Sequence, residues 1–261
     1  MDQEKKGNSS TYVLGVDFET TGLIETEEVV TEIGAVLWDW EAQVPVLMMS
    51  ELLKLPEGKK IIPQIVELTG ITEELTAEFG VEPTDGFKRL NKMGEKADYV
   101  MAHNAQFDKK FYNASMKRIE MSADLDKKIW LDTVSDVDYP KVMSTRKLTH
   151  LASEHGFLNP FEHRAVFDVL TMLSVVKNYS LDDIVKYACE EKYELKAAVS
   201  FDDKQKAKDK GFHWNPQGKL WLKTVGESKV KEEVSDCDFQ VYSRKKDKEK
   251  DWRLEKNENK V

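Results

Sequence analysis

Three compact apolar runs follow one another within the first 53 residues, and that succession limits the fold more than any other feature. Tyr12-Val13-Leu14-Gly15-Val16-Asp17-Phe18 ends at Thr20-Thr21-Gly22, and the stretches from Val29 to Trp40 and from Val44 to Leu53 follow. Short apolar runs bounded by turn residues read as buried strands. The polar gap at Glu41-Ala42-Gln43 suits a hairpin between the second and third. The pattern then changes. Residues 61–97 read as helix in pieces, interrupted at Pro63, Gly70, Gly80 and Pro83. Asp98 to His103 and Lys128 to Leu131 read as short strands, and between them Phe107, Phe111 and Ser115 recur at four-residue spacing. Helical patterning returns over 146–155 and 163–178. Strands alternating with helices after an initial meander predict an α/β domain with a mixed sheet.

A shift in composition near residue 180 divides the chain. Residues 1–10 read as a disordered lead, 11–180 as the main domain and 181–191 as a connecting helix. Residues 192–243 read as a small basic and aromatic module, and 244–261 as a charged disordered tail. Within the module, Lys196 to Phe201 and Asp238 to Tyr242 are expected as strands and Asp202 to Lys210 as a polar helix. His213 to Thr224 is expected as a hairpin turning at Asn215-Pro216-Gln217-Gly218.

Charge follows the same division. Of the net −9, residues 192–225 carry eight Lys against four acids, for +4, and residues 226–261 sum to zero, so 1–191 holds −13. An acidic surface does not favour non-specific phosphate binding, but it does not exclude an enzyme whose metals supply positive charge locally. Cys189 and Cys237 lie far apart without CxxC spacing, which points to two ordinary thiols of a reducing cytoplasm, neither a disulfide framework nor a zinc site. The mean hydropathy of −0.56, the lack of any apolar run of about 18 residues and the polar N-terminus lead to the expectation of a soluble cytoplasmic protein without membrane or signal segment.

Chemistry enters with the carboxylates. Asp17 and Glu19 are two apart in a strand and project together at its end. Burying both without a counter-charge costs several kcal/mol per ion, which makes a cation a natural partner; strand-end acids on a solvated edge are the plainer reading. His103-Asn104-Ala105-Gln106-Phe107-Asp108 sits at a strand-to-helix junction, with Asp108 in the first turn. For this segment alone, Asn104 as a cap with Asp108 suiting the dipole is the plainer reading. His163-Arg164-Ala165-Val166-Phe167-Asp168 opens a further helix. Residues five apart in a regular helix differ by about 140° in azimuth, so His163 and Asp168 meet only if His163 precedes the helix start. The loop signal Asn159-Pro160 allows that.

Taken together, these three elements resemble the DnaQ-like, or DEDDh, exonucleases, which include the proofreading subunits and domains of DNA polymerases and several RNA-trimming nucleases. Asp17-Phe18-Glu19-Thr20-Thr21-Gly22-Leu23 matches the family's first motif in full. Ile62-Pro63 followed by Leu68-Thr69-Gly70-Ile71-Thr72, then Asp132-Thr133 and Lys147-Leu148 with Leu151-Ala152, add to the likeness over residues 11–178. The resemblance implies an RNase H-like fold, a mixed five-stranded sheet flanked by helices, with the small α+β module appended. It implies a 3′→5′ exonuclease in which Asp17, Glu19, Asp108 and Asp168 hold two Mg²⁺ or Mn²⁺ ions, hard cations suited to oxygen ligands. His163 would be the general base, an imidazole titrating near pH ~6.5 when unperturbed. Phe18, Thr20, Thr21, Gly22, Leu23, His103, Asn104 and Phe107 would bind the terminal nucleotides, through the backbone after Glu19 and the side chains of Leu23 and Phe107, an apolar wedge and an aromatic face holding bases without reading sequence; packing against Phe111 accounts equally well for Phe107.

The expected substrate is single-stranded DNA with a free 3′ end, in replication or repair and beside a polymerase or alone. RNA trimming is the alternative, since the 2′-OH is sensed by local contacts. A catalytically idle nucleic-acid-binding protein on the same fold is the third reading. In the module, Trp214, Lys219, Trp221 and Lys223 are candidate accessory nucleic-acid contacts, with packing of both Trp into a tiny core as the alternative.

Overall fold

The computed structural model describes residues 10–246 apart from 141, 144, 201 and 217. Except for Ser10, the expected disordered lead falls outside the described residues, as does all of the expected tail beyond 246. The chain divides into two compact units, Met1–Ala188 and Cys189–Val261.

In the first unit, β1 (Tyr12–Thr20), β2 (Val30–Asp39) and β3 (Val44–Leu52) form the expected meander, followed by α1 (Pro63–Thr69), α2 (Glu73–Phe79) and α3 (Pro83–Gly94). Then come β4 (Tyr99–Ala102), α4 (Ala105–Arg118), β5 (Ile129–Asp132), α5 (Leu148–Glu154), α6 (Ala165–Val176) and α7 (Leu181–Cys189). The sheet order is β3-β2-β1-β4-β5, antiparallel on the meander side and parallel from β1 through β4 to β5. Proline begins α1 and α3, where its missing N–H is not needed.

Alternation along β1 sends its side chains into two cores. Leu14, Val16 and Phe18 pack with Phe87 and Leu90 of α3 and Phe111 and Tyr112 of α4. On the other face Val13 packs with Val36 and Trp38 of β2 and with Val169, Met172 and Leu173 of α6. Two glycines set how closely α6 lies on the sheet. A Cβ at Gly15 would come within 2.7 Å of Val169, and one at Gly34 within 2.3 Å of the Ala165 carbonyl carbon and 2.4 Å of the Val166 nitrogen. The Gly34 contact is backbone against backbone and cannot be relieved by a rotamer change. Gly34→Ala is therefore expected to lower stability by about 1–3 kcal/mol or more, measured by chemical denaturation. A variant with unchanged stability would mean that the start of α6 is not seated on β2.

The second unit holds β6 (Lys192–Ala197), α8 (Lys204–Asp209), β7 (His213–Asn215), β8 (Leu220–Gly226), α9 (Val230–Ser235) and β9 (Val241–Lys245). Its sheet order is β7-β8-β6-β9, all antiparallel. The β7–β8 hairpin lies where expected, but two strands are shifted and one helix is additional. The first strand spans 192–197, not 196–201, because Tyr193, Leu195 and Ala197 point inward while Lys192, Glu194 and Lys196 point outward. That alternation is the mark of a sheet with one solvated face. The last strand is 241–245, not 238–242, and carries Arg244 and Lys245 out of the segment expected to be disordered. Pairing with β6 holds it there, with Arg244 opposite Glu194 and ion-paired to it at 3.6 Å. Helix α9 had no counterpart in the sequence reading.

Candidate active site

The acids gather at the C-terminal end of β1. Asp17 and Glu19 share with Gly15 the face that α6 covers. Asp108 and Asp168 arrive by the same local device. Each is the fourth residue of a helix that opens on a buried alanine, Ala105 or Ala165, with a left-handed residue just upstream: Asn104 (φ 72°) directly before Ala105, and His163 (φ 61°) one residue further back, with extended Arg164 between. A left-handed backbone is uncommon outside glycine, though Asn and His adopt it more readily than most, and here it turns the chain sharply into each helix. Both aspartates then lie in a first turn, where the dipole favours an anion.

Hydrogen bonds aim the two carboxylates. The Phe18 N–H donates to Asp108 Oδ1 at 3.0 Å. Asp168 accepts from the His163 N–H at 2.9 Å and from Asn159 Nδ2 at 2.8 Å. His163 thus sits before the helix start, as its five-residue spacing from Asp168 required. One ligand atom each from Glu19, His163 and Asp168 lies within 4.8 Å of the other two.

Burial and mutual repulsion disfavour ionisation throughout this cluster. The Glu19 carboxyl is raised to about 9, first by burial and then by Asp17, Asp168 and Glu32, with Arg164 opposing. Asp17 is pushed up to about 8 by burial, then by Asp168 and Glu32. Asp108 is held well above the usual carboxylate range by burial and by Asp17. Asp168 reaches about 6 through burial, opposed by the His163 N–H, its imidazole and Asn159. Four acids, Asp108 buried and the other three half-buried, with oxygen donors and so little cationic compensation fit a divalent metal, which would neutralise them where they stand.

These raised carboxyls make the stability of the metal-free protein depend on pH. Folded-state values above the unfolded ones mean that these groups' contribution to stability is complete below about pH 4, falls as pH rises, and is gone once pH has passed their folded-state values of about 6 to 9. Above about pH 6 ordinary carboxylates are ionised in both states and drop out. The metal-free protein is expected to lose thermal stability between about pH 6 and 9. Added Mn²⁺ should restore it, more at the higher pH because the ligands must be deprotonated. Thermal unfolding with chelator and with Mn²⁺ checks this; a metal-free Tm that climbs over the range, or a Mn²⁺ increment indifferent to pH, would overturn it.

The residues expected at the substrate divide into two groups. Leu23 is 81% exposed and, with Asn104, Phe107, Gln106 and Lys110, lines a hollow of about 210 Å³. Phe107 also packs on Phe111, ring centroids 4.7 Å apart, so its two readings hold together. Asn104 makes no side-chain cap; its N–H donates to Asp132 at 3.0 Å. The others turn inward. Phe18 is buried edge-on against Phe87. The Thr20 hydroxyl donates to the Gly22 carbonyl at 2.6 Å, and buried Thr21 bonds the Glu28 carboxylate and accepts the Val29 N–H. Gly22 lies against Glu28, where a Cβ would have no room. Both His103 ring nitrogens are taken, by the Thr133 hydroxyl and the Arg146 carbonyl, each at 2.8 Å, and burial lowers its pKa. The side chains of Phe18, Thr20, Thr21 and His103 therefore build the site and are not presented to a substrate.

The module requires a similar correction. Trp221 is buried in its core, and the Lys223 ammonium is held by Glu233 at 2.5 Å and the Lys210 carbonyl at 2.9 Å. Neither is presented as an accessory contact. Trp214, 47% exposed, and Lys219 lie at the surface. The sequence reading gives no role at the candidate site to two residues that adjoin it, Asn159 and Glu32. Asn159 enters there only as a loop signal. Glu32 carried a clearer mark, being the sole charge among apolar and neutral residues from Val29 to Trp38.

A mixed five-stranded sheet with helices on both faces and acids converging at the end of its first strand defines an RNase H-like fold of the nuclease type. The chain belongs to the exonuclease (RNase_T) family, whose model matches residues 14–176, and it is DnaQ-like. Residues 193–243 match a domain of unknown function. The chain is 26% identical over 174 residues, 64% of its length, to DNA polymerase III PolC-type of Listeria monocytogenes, and spans only 11% of that relative. Among solved structures it is similar to the zinc-bound form of the E. coli exonuclease I–ssDNA complex (TM-score 0.60, 17% identity, 73% of this chain and 48% of that one). It is also similar to the nuclease domain of 3′hExo, a DEDDh family member, bound to rAMP (TM-score 0.55, 15% identity, 68% and 96%). Among the described residues no helix is long and apolar enough to cross a membrane.

Proposed function

We propose that this chain is a metal-dependent 3′→5′ exonuclease that releases nucleoside 5′-monophosphates from single-stranded DNA ends. The observation that carries the reading is the meeting of acids from β1, α4 and α6 with His163, which comes from the turn before α6. Asp17, Glu19, Asp108 and Asp168 would hold the ions, two of Mg²⁺ or Mn²⁺. When bound, such a pair stabilises charge on the scissile phosphate and on the attacking and leaving oxygens. His163 accepts the proton of the attacking water, its backbone N–H fixed on Asp168. Leu23 and Phe107 grip the terminal bases along the hollow they line. In the module, Trp214 and Lys219 offer an accessory contact to a longer strand.

DNA is favoured by the likeness to a DNA polymerase, which also suggests a replication or repair setting beside a polymerase. RNA is the second reading, because one similar structure holds rAMP. Digestion of 5′-labelled DNA and RNA oligonucleotides of one sequence, with Mn²⁺ and with chelator, decides the matter. Stepwise shortening from the 3′ end of DNA that needs metal is the expected result. Faster shortening of RNA would reverse the substrate assignment, and no shortening of either would remove the enzymatic reading.

A further inference from the structure

Glu32 is a carboxylate for which the proposed chemistry has no use. It lies wholly buried in β2, directly opposite Glu19 in the β1–β2 register, on the side that α6 covers. Like charges placed opposite each other destabilise a sheet, and Arg164 answers both. Its Nε and Nη2 donate to the two Glu32 oxygens at 3.2 and 3.0 Å, the forked geometry that adds direction to strength. Glu32 also accepts the Ala165 N–H at 3.2 Å, and the Ser50 hydroxyl of β3 at 3.1 Å. Ser50 ties the carboxylate to the sheet. Among the described residues, its other hydrogen bonds all come from the two residues that follow His163.

His163 needs such support. Its backbone is left-handed (φ 61°), a conformation that persists only where the surroundings impose it. Among the described residues its ring makes no hydrogen bond, so the backbone beneath sets the ring's direction. Asp168 holds the residue's N–H on one side. We propose that Glu32 is a positioning residue that, through Arg164 and Ala165, holds the other side of this turn and so keeps the His163 ring aimed at the acids. The inference rests on the reading of His163 as the base.

The test is Glu32→Gln, which sets an amide donor against donors from Arg164 and Ala165, assayed on labelled single-stranded DNA with Mn²⁺. Displacing a base by about an ångström costs up to 10²-fold in rate. The expected result is a kcat lower by about 10- to 100-fold, with KM unchanged. In a His163→Asn background, measured with enzyme in excess, the same substitution should have no further effect. A loss that multiplies with that of His163→Asn would overturn the inference, since Glu32 would then act elsewhere. Arg164→Lys, which keeps the charge and loses the fork, should give the same pattern and serves if Glu32→Gln folds poorly; full kcat in that variant overturns the idea as well. A slow His163→Asn beside a fully active Glu32→Gln removes this inference alone. A fully active His163→Asn removes the base and this inference together.

Discussion

Asp17→Asn is expected to abolish turnover, by on the order of 10³-fold or more, and to remove the stabilisation that Mn²⁺ confers. The substitution keeps the shape of the side chain and deletes one charge, so both losses are read as electrostatic. Metal ions on a phosphoryl oxygen contribute several kcal/mol of charge stabilisation, and each 1.36 kcal/mol of barrier is a factor of about ten. Asp17 stands between the other groups. Its carboxyl is raised first by burial and then by Asp168 and Glu32, and its charge adds to the burial that raises those of Glu19 and Asp108. The same position predicts a gain. Without metal at about pH 9, where repulsion in the wild type is greatest, Asp17→Asn should melt higher than the wild type. Activity against Tm, with and without Mn²⁺, measures both effects. Wild-type turnover, or a wild-type Mn²⁺ increment, would show that Asp17 is not a ligand.

His163→Asn is expected to lower kcat by about 10²–10⁴-fold, the usual contribution of a positioned general base, while keeping the Mn²⁺ increment in Tm. Asparagine is chosen because His163 has a left-handed backbone, which Asn tolerates and Ala does not; an alanine would mix backbone strain into the result. The ring makes no hydrogen bond among the described residues, so its removal orphans no partner, and stability should stay within about 0.5 kcal/mol of wild type. The competing outcome is sharp. His163 offers a nitrogen within 4.8 Å of the Glu19 and Asp168 oxygens. Loss of the Mn²⁺ increment along with turnover would therefore make it a metal ligand.

Much of the first unit was legible because its signals are local. The three runs of the meander are mostly apolar and bounded by turn residues, and they became β1, β2 and β3 within about a residue or two at each end. Breaks at Pro63, Gly70, Gly80 and Pro83 separated α1, α2 and α3 for reasons of backbone chemistry alone. The module was less legible. With six residues in β6 and five in β9, single charges on the solvated face hide the alternation. Only the ladder between these strands places Arg244 within one of them.

For the site, chain order and spacing were enough to nominate five side chains and to require that His163 precede its helix. Spacing relates a residue to its own element and is blind to what packs on that element. Hence it could not separate Leu23, which lines the hollow, from Phe18, which fills the core five residues earlier, nor foresee that His103 spends both nitrogens on loops 30 and 43 residues away. Glu32 is the clearest case. A lone acid in an apolar strand carries no meaning until α6, more than 130 residues on, brings Arg164 and Ala165 against it. The chain by itself determined which residues bear charge and in what order. Folding decided which of them meet, because burial and pairing arise between elements and not along them.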